Sequence, residues 1–135
     1  MIFTADRTNG EDIEALLRAS VTVLGIGVAG FGSAAGLLAV SGRTGDVTVV
    51  DAGDDERRRS AAEILTTLGA TVRLGHTEGL PAGTDILVVS PGVPLDHPMV
   101  REAQDSAVPV WSELELAWRI QPLTASAGAP WLVVT

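Results

Sequence analysis

Residues 20–30 read Ser-Val-Thr-Val-Leu-Gly-Ile-Gly-Val-Ala-Gly, and this stretch decides the fold. Its first half, residues 20–24, is short, apolar and rich in β-branched residues, which predicts a buried strand. Its second half has the spacing Gly-x-Gly-x-x-Gly and leads into an apolar segment that predicts a helix over residues 29–39. A glycine-rich turn between a strand and a helix is typical of doubly wound α/β domains.

The rest of the chain alternates in the same way. Helices are predicted over residues 9–19, 54–68, 98–106 and from 112 onward, and strands over 46–51, 71–74, 85–89 and 108–110. This order predicts a Rossmann-like parallel sheet of about five strands with helices on both faces. We divide the chain into an N-terminal extension with a short helix (1–19), the Rossmann-like domain (20–121), and a linker with the first strand of a truncated further domain (122–135).

Composition narrows the classes of function. The 135 residues suit one domain, and the 46% of hydrophobic residues suffice for a core. The absence of cysteine excludes a disulfide framework, a thiol nucleophile and a cysteine zinc site. The net charge of −8 argues against a nucleic-acid partner. We find no signal peptide and no membrane span, and we expect a cytoplasmic monomer with no membrane partner.

The glycine turn itself predicts a phosphate site. Gly25 permits the tight turn, Gly27 lets a phosphate approach the backbone, and Gly30 lets the helix pack closely on the strand. The N–H groups at the helix start then face the anion. Asp51 ends the second strand, roughly 20 residues after Gly30, where an acid can bond a ribose or a base edge. The alternative is a turn without a ligand, and the motif alone does not distinguish nicotinamide, flavin and other nucleotides.

A second glycine-containing segment, Ser-Pro-Gly-Val-Pro at residues 90–94, follows the fourth strand. The carboxyl ends of parallel strands share one sheet edge, so this segment is expected opposite the first turn. There Gly92 can offer a bare N–H to a phosphate, and Ser90 can offer a hydroxyl. A simple Pro-Gly turn explains the segment equally well. Its position opposite the glycine turn favours the binding interpretation.

Other polar and aromatic residues are interpreted as structural. His97 precedes Pro98 and is expected to start a helix, and His76 lies in a loop with no evident partner. The basic run at residues 57–59 follows an acidic run at 54–56, which predicts local ion pairs on a helix face. Three tryptophans are expected to pack in the interior: Trp111, Trp118 and Trp131.

Four segments together resemble the Mur ligases. They are Val-Leu-Gly-Ile-Gly-Val-Ala-Gly (23–30), Val-Val-Asp (49–51), Asp-Ile-Leu-Val-Val-Ser-Pro-Gly-Val (85–93) and Ser-Glu-Leu-Glu-Leu (112–116). The resemblance is to the N-terminal domain of the D-glutamate-adding member, UDP-N-acetylmuramoyl-L-alanine:D-glutamate ligase, and spans about residues 20–135. The Ser-Pro-Gly-Val segment at 90–93 together with Glu-Leu-Glu-Leu at 113–116, rather than the glycine turn, separates the family from dehydrogenases.

The resemblance implies a set of contacts to UDP. By position, Val28 and Ala29 would offer amides to the diphosphate beside Gly27 and Gly30. Asp51 and Ala52 would meet the uracil, and Ser90 and Gly92 would close on the diphosphate from the other side. This chain departs from the family at Ala29, where serine or threonine is common, and at Gly53, where a polar or basic residue often helps to hold uracil.

The resemblance also implies an activity for a longer protein. Such ligases use ATP and Mg²⁺ to activate the substrate carboxylate, which the amine of D-glutamate attacks, in cytoplasmic peptidoglycan biosynthesis for cell shape and cell division. No Gly-Lys-Ser/Thr phosphate loop occurs in this chain, so we expect these residues to bind UDP-N-acetylmuramoyl-L-alanine without catalytic residues, a metal site or a cofactor of their own. The alternatives are an NAD(P)-binding domain of an oxidoreductase and a non-catalytic nucleotide-sensing module.

Overall fold

The computed structural model describes residues 2–124 and 127–130 of the chain. Within them, five parallel strands form one sheet in the order β3-β2-β1-β4-β5. The strands are β1 (Val21–Leu24), β2 (Val47–Asp51), β3 (Thr71–Leu74), β4 (Ile86–Val89) and β5 (Val110–Ser112). The doubly wound α/β fold predicted from the sequence is therefore confirmed. The strand and tryptophan predicted at residues 131–135 lie outside the described part of the chain.

The described residues also form five α-helices, three of which connect successive strands, and most begin at a side-chain cap. They are α1 (Gly10–Arg18), α2 (Val28–Leu38), α3 (Glu56–Thr67), α4 (Pro98–Asp105) and α5 (Glu113–Ile120), and a 3₁₀ turn (Gln121–Leu123) follows. The caps of α1, α3, α4 and α5 are Asn9, Asp55, His97 and Ser112, whose side chains accept first-turn N–H groups. Such caps satisfy N–H groups that the helix leaves unpaired, and so they fix where each helix starts. No helix among the described residues is long and apolar enough to cross a bilayer.

Alternate strand residues feed two hydrophobic layers. On one face, side chains of β1, β2, β4 and β5 pack with α1, α2, α3 and α5, in a cluster that includes Val23, Leu37 and Leu116. On the other face, Leu24, Val50 and Leu87 pack against α4. The period-two alternation of a strand explains this division. Helices therefore cover both faces, as predicted.

The fifth strand differs from its prediction by two residues. It was expected over 108–110 but occupies Val110–Ser112, paired with β4 from Leu87↔Val110 to Val89↔Ser112. The N–H of Val108 is used to close the end of α4 on Ala103 O, at 2.8 Å. Pro109 has no N–H to give to a ladder, although its carbonyl accepts from Leu87 N. These backbone hydrogen bonds explain why the strand extends over Trp111 and Ser112 and does not begin at residue 108.

The N-terminal segment, predicted as an extension, contributes to the main core. Leu16 and Ala19 are buried in the cluster beneath α2 and α5. Phe3 contacts Trp111 edge to face, with ring centroids 4.8 Å apart. A buried ion pair also joins Asp12 on α1 to Arg119 on α5, with 3.5 Å between N and O. These contacts tie residues 3–19 to the Rossmann-like domain.

The strand order creates a crevice at the carboxyl edge of the sheet. From β1 the chain proceeds outward to β2 and β3, and then returns to the other side of β1 for β4 and β5. The connections after β1 and β4 therefore leave the sheet in opposite directions and open a gap between them. Ligands of open α/β sheets bind in such a gap. The glycine turn and the segment at 90–94 flank it.

Candidate functional site

Two glycines of the turn are required by the backbone itself. Gly25 has φ +102°, a conformation that residues with side chains rarely adopt. At Gly30 a Cβ atom would overlap the carbonyl oxygen of Gly25. Helix α2 therefore packs directly against the start of the turn. The structure agrees with the roles predicted for both residues.

The middle glycine has no such requirement. Gly27 caps α2 with φ −67° and ψ −173°, which any residue can adopt, and a Cβ there would meet nothing within 4 Å. The first helical hydrogen bond runs from Phe31 N to Gly27 O at 2.8 Å. The N–H groups of Val28, Ala29 and Gly30 therefore precede the helical ladder and can be given to a ligand. With the positive end of the helix dipole, they form an open anion site.

Asp51 lies at the end of β2 and is bonded to the turn. Its Oδ2 accepts the N–H of Ile26 at 2.9 Å. Its Oδ1 accepts the N–H of Gly53 at 2.8 Å and Nε of Arg58 at 3.0 Å. Three donors thus occupy most of the lone pairs of this carboxylate, which has about four acceptor positions. Asp51 stands at the predicted place, and in this structure it holds the turn.

The segment after β4 lies directly beside the glycine turn. Ser90 Oγ would be 3.0 Å from a Cβ at Gly25 and 3.1 Å from one at Gly30. Within the described part of the chain, this buried hydroxyl has no hydrogen-bond partner. Gly92 follows two residues later, where a Cβ would again meet open space. The structure thus brings Ser90 and the turn together across the crevice.

Ala52 borders a separate pocket that the sequence did not predict. The pocket has a volume of about 220 Å³ and lies between the ends of β2 and β3 and the start of α4. Its walls include His76, Gly79, His97 and Met99. His97 Nδ1 accepts the N–H of Met99 at 3.1 Å, so the neutral ring carries its proton on Nε2. The prediction that His97 starts a helix is confirmed.

The expectation that His76 lacks a partner is wrong. Its Nε2 lies 2.6 Å from the carbonyl oxygen of Gly79, and its Nδ1 lies 2.9 Å from a carboxylate oxygen of Glu78. The backbone N–H of Thr77 donates to the Glu78 carboxylate and lowers the pKa of that group. A tight loop at residues 75–79 places these partners beside the ring, and Gly75 and Gly79 both have positive φ. The sequence analysis missed these partners because they meet His76 only when the loop folds. Two glycines four residues apart are a signal of such a tight loop.

An apolar groove adjoins the turn on its other side. It has a volume of about 360 Å³ and lies between the start of α2 and helix α5, with Val28, Ala29, Leu114 and Ala117 in its walls. The Val28 side chain is 87% exposed there. The site thus has a polar centre and two flanking hollows.

The acidic and basic runs at 54–59 form local ion pairs, as predicted. Arg59 Nε pairs with Asp54 at 2.9 Å, and Arg58 pairs with Asp55 and Asp51. The contact of Arg58 with Asp51 was not predicted, because the turn between them had to be folded first. Among the residues described, no group of three His, Asp or Glu side chains is arranged to hold a metal ion.

Comparison of the sequence with known protein families identifies the family of this chain. Residues 19–112 match the model of the Mur ligase MurD-like, N-terminal domain. The chain belongs to this family. The matched residues of this MurD-like domain include the glycine turn, Asp51 and the segment at 90–94, but not α1.

Three curated relatives of the MurD-like domain carry the name UDP-N-acetylmuramoylalanine--D-glutamate ligase. The protein of Streptomyces coelicolor is 47% identical over 115 residues, which are 85% of this chain and 24% of that protein. The protein of Frankia casuarinae is 48% identical over 118 residues, 85% of this chain and 23% of that protein. A cyanobacterial relative, from a Synechococcus strain, is 43% identical over 96 residues, 71% of this chain and 20% of that protein. The chain thus spans about a quarter of the length of these relatives.

Proposed function

We propose that this chain binds the UDP part of UDP-N-acetylmuramoyl-L-alanine, as the N-terminal domain of an ATP-dependent ligase that adds D-glutamate. The observation that carries the proposal is Gly27. Its backbone conformation is ordinary and the space around it is open, so neither strain nor crowding accounts for a glycine there. Close approach of a ligand does account for it, because a side chain would stand in front of the free N–H groups of α2.

In this proposal the diphosphate lies at the start of α2. The amides of Val28, Ala29 and Gly30 donate to its oxygens, and the Gly92 amide approaches from across the crevice. The Ser90 hydroxyl, which is buried against Gly25 and Gly30, joins them once its side chain rotates toward the ligand. The buried Ser90 Oγ, unpaired in the described part of the chain, supports this role. A buried hydroxyl without a partner costs free energy, which a ligand oxygen would recover.

The base is proposed to occupy the pocket beside Ala52. Its volume of about 220 Å³ suits a single-ring base better than a large ligand, since drug-sized ligands need roughly 300–1,000 Å³. Imidazole rings can stack on bases, and His97 Nε2–H can donate to a base carbonyl. Asp51 would accept a hydrogen bond from the base at the acceptor position that its three protein donors leave free.

The bonding of Asp51 also separates this proposal from a nicotinamide site. A dinucleotide site uses the acid after β2 to accept ribose hydroxyls. Here Asp51 already accepts from Ile26, Gly53 and Arg58. A ribose diol would have to displace at least one of them. The structure therefore supports a ligand that relies on the turn amides more than on this carboxylate.

The ligase activity is proposed for a longer protein in peptidoglycan biosynthesis, in agreement with the names of the relatives. ATP, Mg²⁺ and D-glutamate would be bound by parts outside this chain. Reading the coding sequence past Thr135 tests this: we expect Gly-x-Asn-Gly-Lys followed by serine or threonine. A protein carrying that loop should produce ADP and phosphate in repeated turnover only when both D-glutamate and the UDP substrate are present. A stop codon, or a downstream domain without the loop, would contradict the ligase proposal.

A further inference from the structure

Arg58 extends from the first turn of α3 back to the end of β2. Its Nε donates to Asp51 Oδ1 at 3.0 Å, and its guanidinium also donates to the carboxylate of Asp55. Asp55 is itself held, because its Oδ1 accepts the backbone N–H of Arg58 at 2.9 Å. The Arg58 side chain is 31% exposed, and the Asp51 side chain is 13% exposed. The arginine is thus held at two points beside the predicted site.

Gly53 gives Arg58 the space to reach this position. A Cβ at Gly53 would lie 2.5 Å from Arg58 Nε and 2.8 Å from its Cδ and Cζ. A residue with a side chain at 53 would therefore displace the guanidinium from the end of β2. Gly53 also donates its backbone N–H to Asp51. Gly53 and Arg58 thus form one arrangement around a single carboxylate.

This carboxylate links α3 to the glycine turn. Asp51 accepts from Arg58 on one oxygen and from the N–H of Ile26, inside the turn, on the other. The negative charge of Asp51 is the main cause that raises the pKa of Arg58 above its ordinary value. An uncompensated carboxylate next to a phosphate site would repel the phosphate, and a paired cation offsets that repulsion.

We propose that Arg58 is a positioning residue of the anion site. It acts through Asp51 in two ways: it fixes the carboxylate that holds the Ile26 amide, and it offsets the negative charge beside the diphosphate. It does not touch the ligand itself. This inference rests on the proposed function, since it names the residue that makes that site compatible with an anion.

Arg58→Gln, with Arg59→Gln as the matched control, tests the role on the intact chain. Arg59 is adjacent, has the same charge and pairs with Asp54 on an exposed surface. The probes are inorganic pyrophosphate and UDP, titrated by NMR. We expect Arg58→Gln to weaken pyrophosphate binding about tenfold and Arg59→Gln less than about twofold. Equal losses in the two variants would overturn the inference.

A second substitution separates positioning from direct contact. In Arg58→Gln combined with Asp51→Asn, the repelling charge is gone and an amide oxygen can still accept from Ile26. We expect pyrophosphate affinity to return to within about threefold of the unsubstituted chain. No recovery would mean that Arg58 contacts the phosphate itself. If Arg58→Gln does not fold, Arg58→Lys replaces it, with a smaller loss expected because the charge remains.

Amide exchange at Ile26 decides the inference without any ligand. Loss of Arg58 should loosen Asp51, so we expect the Ile26 N–H to exchange about fivefold faster in Arg58→Gln and unchanged in Arg59→Gln. Unchanged exchange in both variants would overturn the positioning role. If the unsubstituted chain binds neither pyrophosphate nor UDP, the proposed function fails. The Ile26 exchange rates still test whether Arg58 positions Asp51.

Discussion

At the residue scale, each of the three glycines of the turn is required for a different physical reason. Gly25 needs its positive φ, and Gly30 needs the absence of Cβ so that α2 can approach Gly25. Gly27 needs neither, and so it is the position at which folding and binding can be separated. This distinction gives a substitution test that most binding sites do not offer.

We expect Gly27→Val to fold normally and to lose binding of UDP ligands. Its stability should stay within about 1 kcal/mol of the unsubstituted chain, because the conformation is allowed and the space is open. Thermal unfolding and calorimetric titration measure the two quantities. Gly30→Ala is the contrasting variant, with an expected loss of about 2 kcal/mol or more from overlap with the Gly25 carbonyl. Full binding by a folded Gly27→Val protein would show that the phosphate lies elsewhere.

Substitution of Ser90 is expected to raise stability and to weaken binding at the same time. Since its buried hydroxyl is unpaired in the described part of the chain, Ser90→Ala should raise the free energy of unfolding by about 1 kcal/mol. The same variant should bind UDP less tightly, because the ligand loses a donor. Denaturant unfolding with and without UDP measures both changes. A less stable variant would mean that the hydroxyl has a partner in the unliganded protein.

The residues predicted from sequence were those whose reason is local. A glycine pattern between a strand and a helix identifies its own turn, so Gly25 and Gly30 could be assigned before folding. Arg58 could not, because it reaches Asp51 only after the turn between them has folded. The pocket around His76 could not, because its walls meet only after β2 and β3 lie side by side. The one available signal for Arg58 was Gly53, a glycine without turn context close to three arginines.

At the scale of elements, the predicted starts of helices and strands hold to within one residue, except at α3, which was predicted from residue 54 and begins at Glu56, and at β5. Asn9, Asp55 and Ser112 cap helices by side-chain bonds within two or three residues, so the sequence contains the whole interaction. The limits of β5 depend on pairing with β4, which is distant along the chain. The two-residue difference at β5 therefore reflects a non-local cause.

The cap of α3 predicts an effect of acid. The backbone N–H of Arg58, and to a smaller extent its guanidinium, lowers the pKa of Asp55 below its ordinary value of 3.8. A carboxyl whose pKa is lower in the folded state stabilises that state fully above pH 3.8, and the contribution is lost as pH falls through the folded pKa. Asp55→Asn keeps the cap but removes the titration, so its melting temperature should fall less steeply below pH 4. Thermal scans between about pH 2 and 6 measure this, and parallel curves for the two proteins would contradict it.

At the scale of the whole molecule, the N-terminal segment is part of the fold although it lies outside the matched family residues 19–112. Arg119 is enclosed by the rings of Phe3, Trp111 and Trp118, each within 5.5 Å of its guanidinium carbon. It also pairs with Asp12 and Glu115. The sequence predicted the tryptophans as packing residues but gave no sign that they surround a cation.

Breaking this buried pair should destabilise the whole domain. We expect Asp12→Ala to lower the free energy of unfolding by about 3 kcal/mol, because Asp12 accepts from Thr4 N and Thr4 Oγ1, both at 2.7 Å, and also pairs with the buried Arg119. Glu14→Ala is the matched control on the same helix: Glu14 pairs with Arg18 at 3.7 Å on an exposed surface and should cost less than about 0.5 kcal/mol. Urea unfolding of both variants measures the difference. Equal, small losses would mean that the N-terminal segment does not stabilise the domain.

Calorimetric titration of this chain with two ligands tests most directly whether a UDP-type ligand binds at the glycine turn. UDP-N-acetylmuramoyl-L-alanine should bind, and NADH should bind much more weakly, because the Asp51 carboxylate is already bonded to Ile26, Gly53 and Arg58. Tighter binding of NADH than of the UDP substrate would contradict the account.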